Sequence, residues 1–136
     1  MGHEDSQKTV LVVEDDDAWA RLISDEVADA GYRPERARSI EDAQLRLDQG
    51  DGISLVVLDV LFGATLDPLG IELARWMKEG TRWASIPIVF CSVVGKAEIG
   101  ARLKDLKTGD DFIFEKPFDF REFSDKIKTI LREKRP

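Results

Sequence analysis

Leu55-Val-Val-Leu58, closed by Asp59, is the stretch on which the fold of this chain turns. An apolar run this short, rich in Val and followed at once by a carboxylate, reads as a parallel strand buried on both faces. Three further runs share the pattern: Val10-Leu-Val-Val13 ahead of Glu14-Asp15, Ile88-Val-Phe-Cys91 ahead of Ser92, and Phe112-Ile-Phe114 shortly ahead of Lys116. In a parallel sheet the ligand crevice lies beyond the carboxyl ends of the strands. Three acids, one hydroxyl and one amine therefore converge on one edge from distant parts of the sequence.

Helical patterns fill the gaps between these runs. Strand Thr9–Val13 leads into a helix expected from Asp16 to about Ala30, with Trp19, Leu22, Ile23 and Val27 at helical spacing and Gly31 as its stop. Tyr32–Ala37 reads as a shorter, more polar edge strand. Ser39 reads as an N-cap with Asp42 three residues on, opening a helix that carries Ile40, Ala43, Leu45 and Leu47. Gln49-Gly-Asp-Gly52 is a turn ahead of the central strand, Ile53–Asp59. A third helix is expected over Gly70–Lys78, a fourth strand over Ile86–Cys91, and a fourth helix from Gly95 to about Lys107. After a turn at Thr108-Gly-Asp110 come strand Asp111–Glu115 and an amphipathic helix, Phe120–Arg132, with Phe120, Phe123, Ile127, Ile130 and Leu131 on its inner side. Five β/α units in succession, with no repeat or linker, predict an α/β fold: a single doubly wound five-stranded parallel sheet with helices on both faces. The domain is expected over residues 9–133, between an unstructured leader at 1–8, which includes His3, and a tail at 134–136.

Composition bounds the function. At 136 residues the chain makes one domain with an ordinary core, and 43% hydrophobic with 35% charged residues is a globular balance. A net charge of −7 argues against direct nucleic-acid binding, which needs a basic stripe; Arg132, Lys134 and Arg135 are too few. No stretch approaches the roughly 20 apolar residues of a membrane helix, and the start lacks a signal-peptide core. The single cysteine, Cys91, excludes an internal disulfide and fits a cytoplasmic location; inside an apolar strand it reads as a small packed hydrophobe.

Taken singly, the polar strand ends have bland explanations. Glu14-Asp15-Asp16-Asp17 suits a helix start, Ser92 a cap, Lys116 a surface. Asp59 is harder to dismiss, because a carboxylate ending the most apolar strand has no packing reason to be there. Carboxylates gathered at one edge repel one another, and a hard cation with oxygen ligands relieves that conflict. Mg²⁺ suits a site of few carboxylates, waters and a phosphate. Ser92 can donate to a phosphoryl oxygen and Lys116 can pair with its charge.

Val12-Val-Glu14-Asp15, Leu58-Asp59, Pro87-Ile-Val-Phe-Cys-Ser92 and Lys116-Pro117-Phe118, in that order and spacing, resemble the receiver domain of two-component response regulators over nearly the whole chain. The resemblance implies strand order 2-1-3-4-5 and a cis peptide between Lys116 and Pro117. It implies that Asp59 accepts a phosphoryl group from a histidine kinase or histidine phosphotransfer protein. Asp15, Asp59 and the backbone carbonyl of Leu61 would ligate Mg²⁺, Glu14 directly or through water. Ser92 and Lys116 would hold the phosphoryl oxygens. The domain would be no enzyme beyond assisting its own phosphorylation and dephosphorylation. Its signal would leave through the face of helix 4, strand 5 and helix 5, including Arg102, Lys107, Asp110, Asp111 and Arg121, which is also the candidate homodimer face.

Three positions depart from the family pattern. Gly63 stands where a proline is usual, and the run to Asp67-Pro68-Leu69-Gly70 is about three residues longer. Val93 follows the hydroxyl where a small residue is usual and narrows access to Asp59. The switch position, three residues before the lysine, is Ile113, with Phe112 and Phe114 beside it; Phe112 is the second candidate, and an extra residue making a bulge is one explanation. Val93 and the longer run suit a rival reading, a phosphorylation-independent interaction module. A metal-dependent phosphohydrolase with Asp59 as nucleophile lacks a second acid two residues on, where Leu61 stands.

Overall fold

The computed structural model describes residues 8–49, 52–61, 69–80, 82–93, 95–104 and 112–133. Its elements run β1 (Thr9–Val13), α1 (Asp17–Asp29), β2 (Arg33–Ala37), α2 (Ile40–Gln49), β3 (Ile53–Asp59), α3 (Leu69–Glu79), β4 (Ile88–Ser92), α4 (Lys96–Arg102), β5 (Ile113–Glu115) and α5 (Phe120–Glu133). The strands form one sheet in the order β2-β1-β3-β4-β5, and each neighbouring pair is parallel. The doubly wound sheet, its order and the polar edge position of β2 are as expected.

Alternate strand residues face opposite sides of a sheet, so a strand covered on both sides must be apolar at every position. Leu11, Val13, Val56, Leu58, Ile88, Phe90 and Ile113 pack on one side, against residues of α2, α3 and α4 that include Leu47, Leu73, Met77 and Ile99, and against Leu103 at the C-cap of α4. Val10, Val12, Leu55, Val57, Val89 and Cys91 pack on the other, against Ile23 and Val27 of α1 and Phe123, Ile127 and Leu131 of α5. Each fully buried Leu, Val, Ile or Phe contributes roughly 1.5–3 kcal/mol of transfer free energy. This double core holds the strand ends in place.

Element ends depart from expectation for local reasons. Asp16 is the N-cap of α1, its carboxylate accepting from Trp19 N at 2.9 Å. At α2, Ser39 Oγ accepts from Asp42 N at 3.0 Å. The Asp42 carboxylate accepts instead from Arg38 N at 3.2 Å, one residue earlier than a reciprocal capping box would place it. β2 begins at Arg33, because Tyr32 N still bonds Val27 O at 3.2 Å. β4 begins at Ile88 and not Ile86: Ile86 N closes a turn onto Trp83 O at 3.1 Å, and Pro87 has no N–H to give. α4 is shorter than expected. It starts after Gly95 and stops at Arg102, where Leu103 N bonds both Ile99 O (3.0 Å) and Gly100 O (3.2 Å) and tightens the last turn. β5 pairs Phe90 with Ile113, Cys91 with Phe114 and Ser92 with Glu115 without a shift, so no bulge interrupts it there. Lys8, expected in the leader, is tied to the fold, its Nζ donating to Leu131 O at 2.9 Å. Gly63, Asp67, Pro68, Lys107, Asp110, Asp111 and the 134–136 tail lie outside the described residues.

Candidate functional site

Glu14 follows Val10 and Val12, Asp59 follows Leu55 and Val57, and Lys116 follows Phe112 and Phe114, all at two-residue steps. The three therefore reach the carboxyl edge on the side covered by α1 and α5. Ser92 has the opposite parity, in step with Ile88 and Phe90. Glu14 and Asp59 are buried, and Ser92 is wholly so; Asp15 is exposed at the rim.

The geometry joins what the sequence separates. Lys116 Nζ lies 2.6 Å from Glu14 Oε1 and 3.6 Å from Asp59 Oδ1. Carboxylate oxygens of Glu14, Asp15 and Asp59 lie within 4.8 Å of one another. Asp59 Oδ1 also accepts from Leu61 N at 3.4 Å, and Glu14 Oε2 from Asp16 N at 3.2 Å. Ser92 is brought to the same edge: Asp59 pairs with Cys91 in the β3–β4 register, and Ser92 O accepts from Lys116 N at 2.7 Å. The Lys116-Pro117 peptide is cis.

Burial first, then the negative charge of Glu14, pushes the Asp59 carboxyl up to about 8. The charge of Lys116 and the Leu61 N–H oppose that rise without cancelling it. For Lys116, burial alone would lower the pKa, but the hydrogen bond to Glu14 and the charges of Asp59 and Glu14 outweigh it and raise it. Burial pushes the Cys91 thiol up strongly, so this cysteine is an inert core residue. A pocket of carboxylates in which one is driven toward protonation fits a hard divalent cation, the donor set being oxygen only.

Two partners of the site were not foreseen. Trp19, expected only as one of the residues at helical spacing in α1, places its ring 5.0 Å from Lys116 Nζ and lies against Phe118 and Phe120. Arg36 donates from Nε (3.1 Å) and Nη2 (2.9 Å) to the backbone carbonyl of Glu14. Its one sequence signal was a basic residue in an edge strand; the β1–β2 register sets it opposite Val12. Of the switch candidates, Ile113 is buried with Ile99 and Leu103, whereas Phe112 packs half-buried on the α5 side. Val93 is 60% exposed. Arg102 is exposed and faces Glu98 at 3.8 Å.

Residues 10–128 match the family model of the response regulator receiver domain. The phosphate regulon transcriptional regulatory protein PhoB of Pseudomonas aeruginosa is 30% identical over 129 residues, covering 95% of this chain and 54% of that protein. The transcriptional regulatory protein BaeR of Escherichia coli is 32% identical, covering 98% of this chain and 52% of that protein. The chain thus spans about half the length of the curated relatives it matches. Among solved structures, the non-phosphorylated HemR receiver domain of Leptospira biflexa superposes with a TM-score of 0.78 at 25% identity, covering 96% of this chain and 98% of that one. Fold, strand-end pocket and sequence match agree, and the chain belongs to the receiver domains of two-component response regulators.

Proposed function

We propose that Asp59 is the phosphoacceptor of this receiver, charged by a histidine kinase or histidine phosphotransfer protein in the cytoplasm. The observation that carries the proposal is the Lys116 ammonium set between Glu14 and Asp59 at the carboxyl end of the central strand. An Asp59 carboxylate oxygen attacks phosphorus, the P–N bond of the phosphohistidine breaks, and the imidazole leaves with its electron pair and takes a proton. Loss of the group reverses the logic: water attacks phosphorus, the P–O bond to Asp59 breaks, and the carboxylate and inorganic phosphate result.

Phosphoryl transfer is dominated by positioning and charge. Glu14, Asp15, Asp59 and the Leu61 carbonyl would hold Mg²⁺. The ion would offset the acids and draw charge from the transferring oxygens. Lys116 offers its ammonium to the new phosphoryl group, exchanging part of its bond to Glu14 for it. Ser92 offers a hydroxyl from the end of β4, and its movement would carry the change into α4, whose Ile99, with the C-cap Leu103, shares a core with Ile113. The signal would leave through the α4–β5–α5 face, where Arg102 and Arg121 are exposed and which is also the proposed homodimer face. A buried Ile113 at the switch position favours a second reading, an interaction module that works without phosphorylation.

One measurement separates the two. Acetyl phosphate with Mg²⁺ is expected to add one phosphoryl group by intact mass, absent in Asp59→Asn. A wild-type chain unmodified by acetyl phosphate and by a cognate kinase would leave the interaction module standing.

A further inference from the structure

Arg36 serves none of the roles above, yet it spends its guanidinium on the acidic loop. Nε and Nη2 donate to the carbonyl of Glu14, at 3.1 and 2.9 Å. Nη1 donates to Asp17 Oδ1 at 2.7 Å, an oxygen that also accepts from Arg38 Nη1 at 3.0 Å. On its other side, Glu14 N donates to Ala37 O at 3.1 Å. The peptide planes before and after the Glu14 Cα are therefore both tied to β2, and two fixed planes fix the two soft backbone angles of Glu14. The second of these planes is the Glu14–Asp15 peptide, which joins two of the proposed metal ligands.

We infer that Arg36 is a positioning residue for the Glu14–Asp15 pair, a clamp from the edge strand that holds both carboxylates in metal-binding register. The inference rests on the metal site proposed above. Asp17, 75% exposed while the Arg36 side chain is 21% exposed, steadies the guanidinium and offsets its charge. The forked, planar donor set is the reason for arginine: one head group reaches a backbone carbonyl and a side-chain carboxylate together, which a lysine point charge cannot do.

Charge and positioning make opposite predictions. As a mere positive charge near three acids, Arg36 repels a divalent cation, and its removal would tighten binding. As a clamp, its removal loosens the ligand pair and weakens binding, and partners behind metal ligands commonly matter roughly tenfold or more. The test is a Mg²⁺ titration followed by the amide NMR signals of the full chain, in wild type, Arg36→Met and Arg36→Lys. The α5 signals report whether the fold is intact. The expected result is a Kd raised roughly tenfold in Arg36→Met and raised less, but clearly, in the charge-retaining Arg36→Lys. Unchanged or tighter binding in Arg36→Met overturns the clamp, and so does wild-type affinity in Arg36→Lys, which stands alone if the methionine variant does not fold. A wild type with no saturable Mg²⁺ response overturns the metal site itself, and the clamp with it.

Discussion

With its carboxyl pushed up to about 8 by burial and by Glu14, Asp59 keeps a proton in the folded, metal-free chain at pH values where an unperturbed aspartate, near 3.8, has lost it. Between those two values the folded state binds more protons than the unfolded state. Raising the pH therefore removes stability, on the order of a few kcal/mol in all, and above the folded value the loss is complete. An asparagine has no proton to lose. We predict that Asp59→Asn melts higher than wild type in EDTA, by a gap that is small near pH 4 and grows to a plateau near pH 8. Excess Mg²⁺ should narrow the gap by offsetting the same charge. A gap indifferent to both pH and Mg²⁺ would mean that Asp59 and Glu14 do not feel one another. The chemistry of this residue was legible from its place after Leu55-Val-Val-Leu58. Its contact with Lys116 follows from a shared strand parity, but the clamp by Arg36 does not, since only the β1–β2 register places Arg36 beside the Glu14 carbonyl.

The junction of β3 and α3 shows how closely an element must seat to present that carboxylate. Gly70 N donates to Val60 O at 2.9 Å. A Cβ on Gly70 would run into the backbone oxygen of Asp59 and come within 2.7 Å of Val60 Cα. The obstacle is backbone, which cannot swing aside as a side chain can. Gly70→Ala is expected to cost roughly 1–3 kcal/mol in urea denaturation, as overpacking does, and to slow phosphoryl uptake by shifting Asp59. At Gly80 the nearest neighbours of an added Cβ lie at 3.6 Å, so Gly80→Ala should stay within about 0.5 kcal/mol of wild type. Equal costs at the two glycines would refute the tight seating of α3 on β3. Strands buried on both faces announced themselves by composition, whereas element ends did not. The stop of α4 at Arg102 depends on Leu103 bonding back to Gly100 and Ile99, and the late start of β4 depends on a turn onto Trp83. Such hydrogen bonds leave no periodic mark in a sequence.

As a whole, the molecule is a sheet whose two apolar faces are filled by helices and whose carboxyl edge is left to polar groups. The order β2-β1-β3-β4-β5 places β3 between β1 and β4, so that Asp59 emerges beside Glu14 and pairs with Cys91, the residue before Ser92. That convergence was readable because four apolar runs each led to a chemically useful residue. The absence of an aromatic three residues before Lys116 was equally readable, but only the β4–β5 pairing shows that Ile113 stands in register with Phe90 and packs on the α4 side. The central claim is that one carboxylate, Asp59, takes the phosphoryl group at this edge. Its most direct test is to treat the protein with acetyl phosphate and Mg²⁺, reduce it with borohydride, which converts an aspartyl phosphate to homoserine, and sequence the peptides. The account predicts homoserine at position 59 alone; homoserine at position 15 or at any other aspartate, with Asp59 intact, would contradict it.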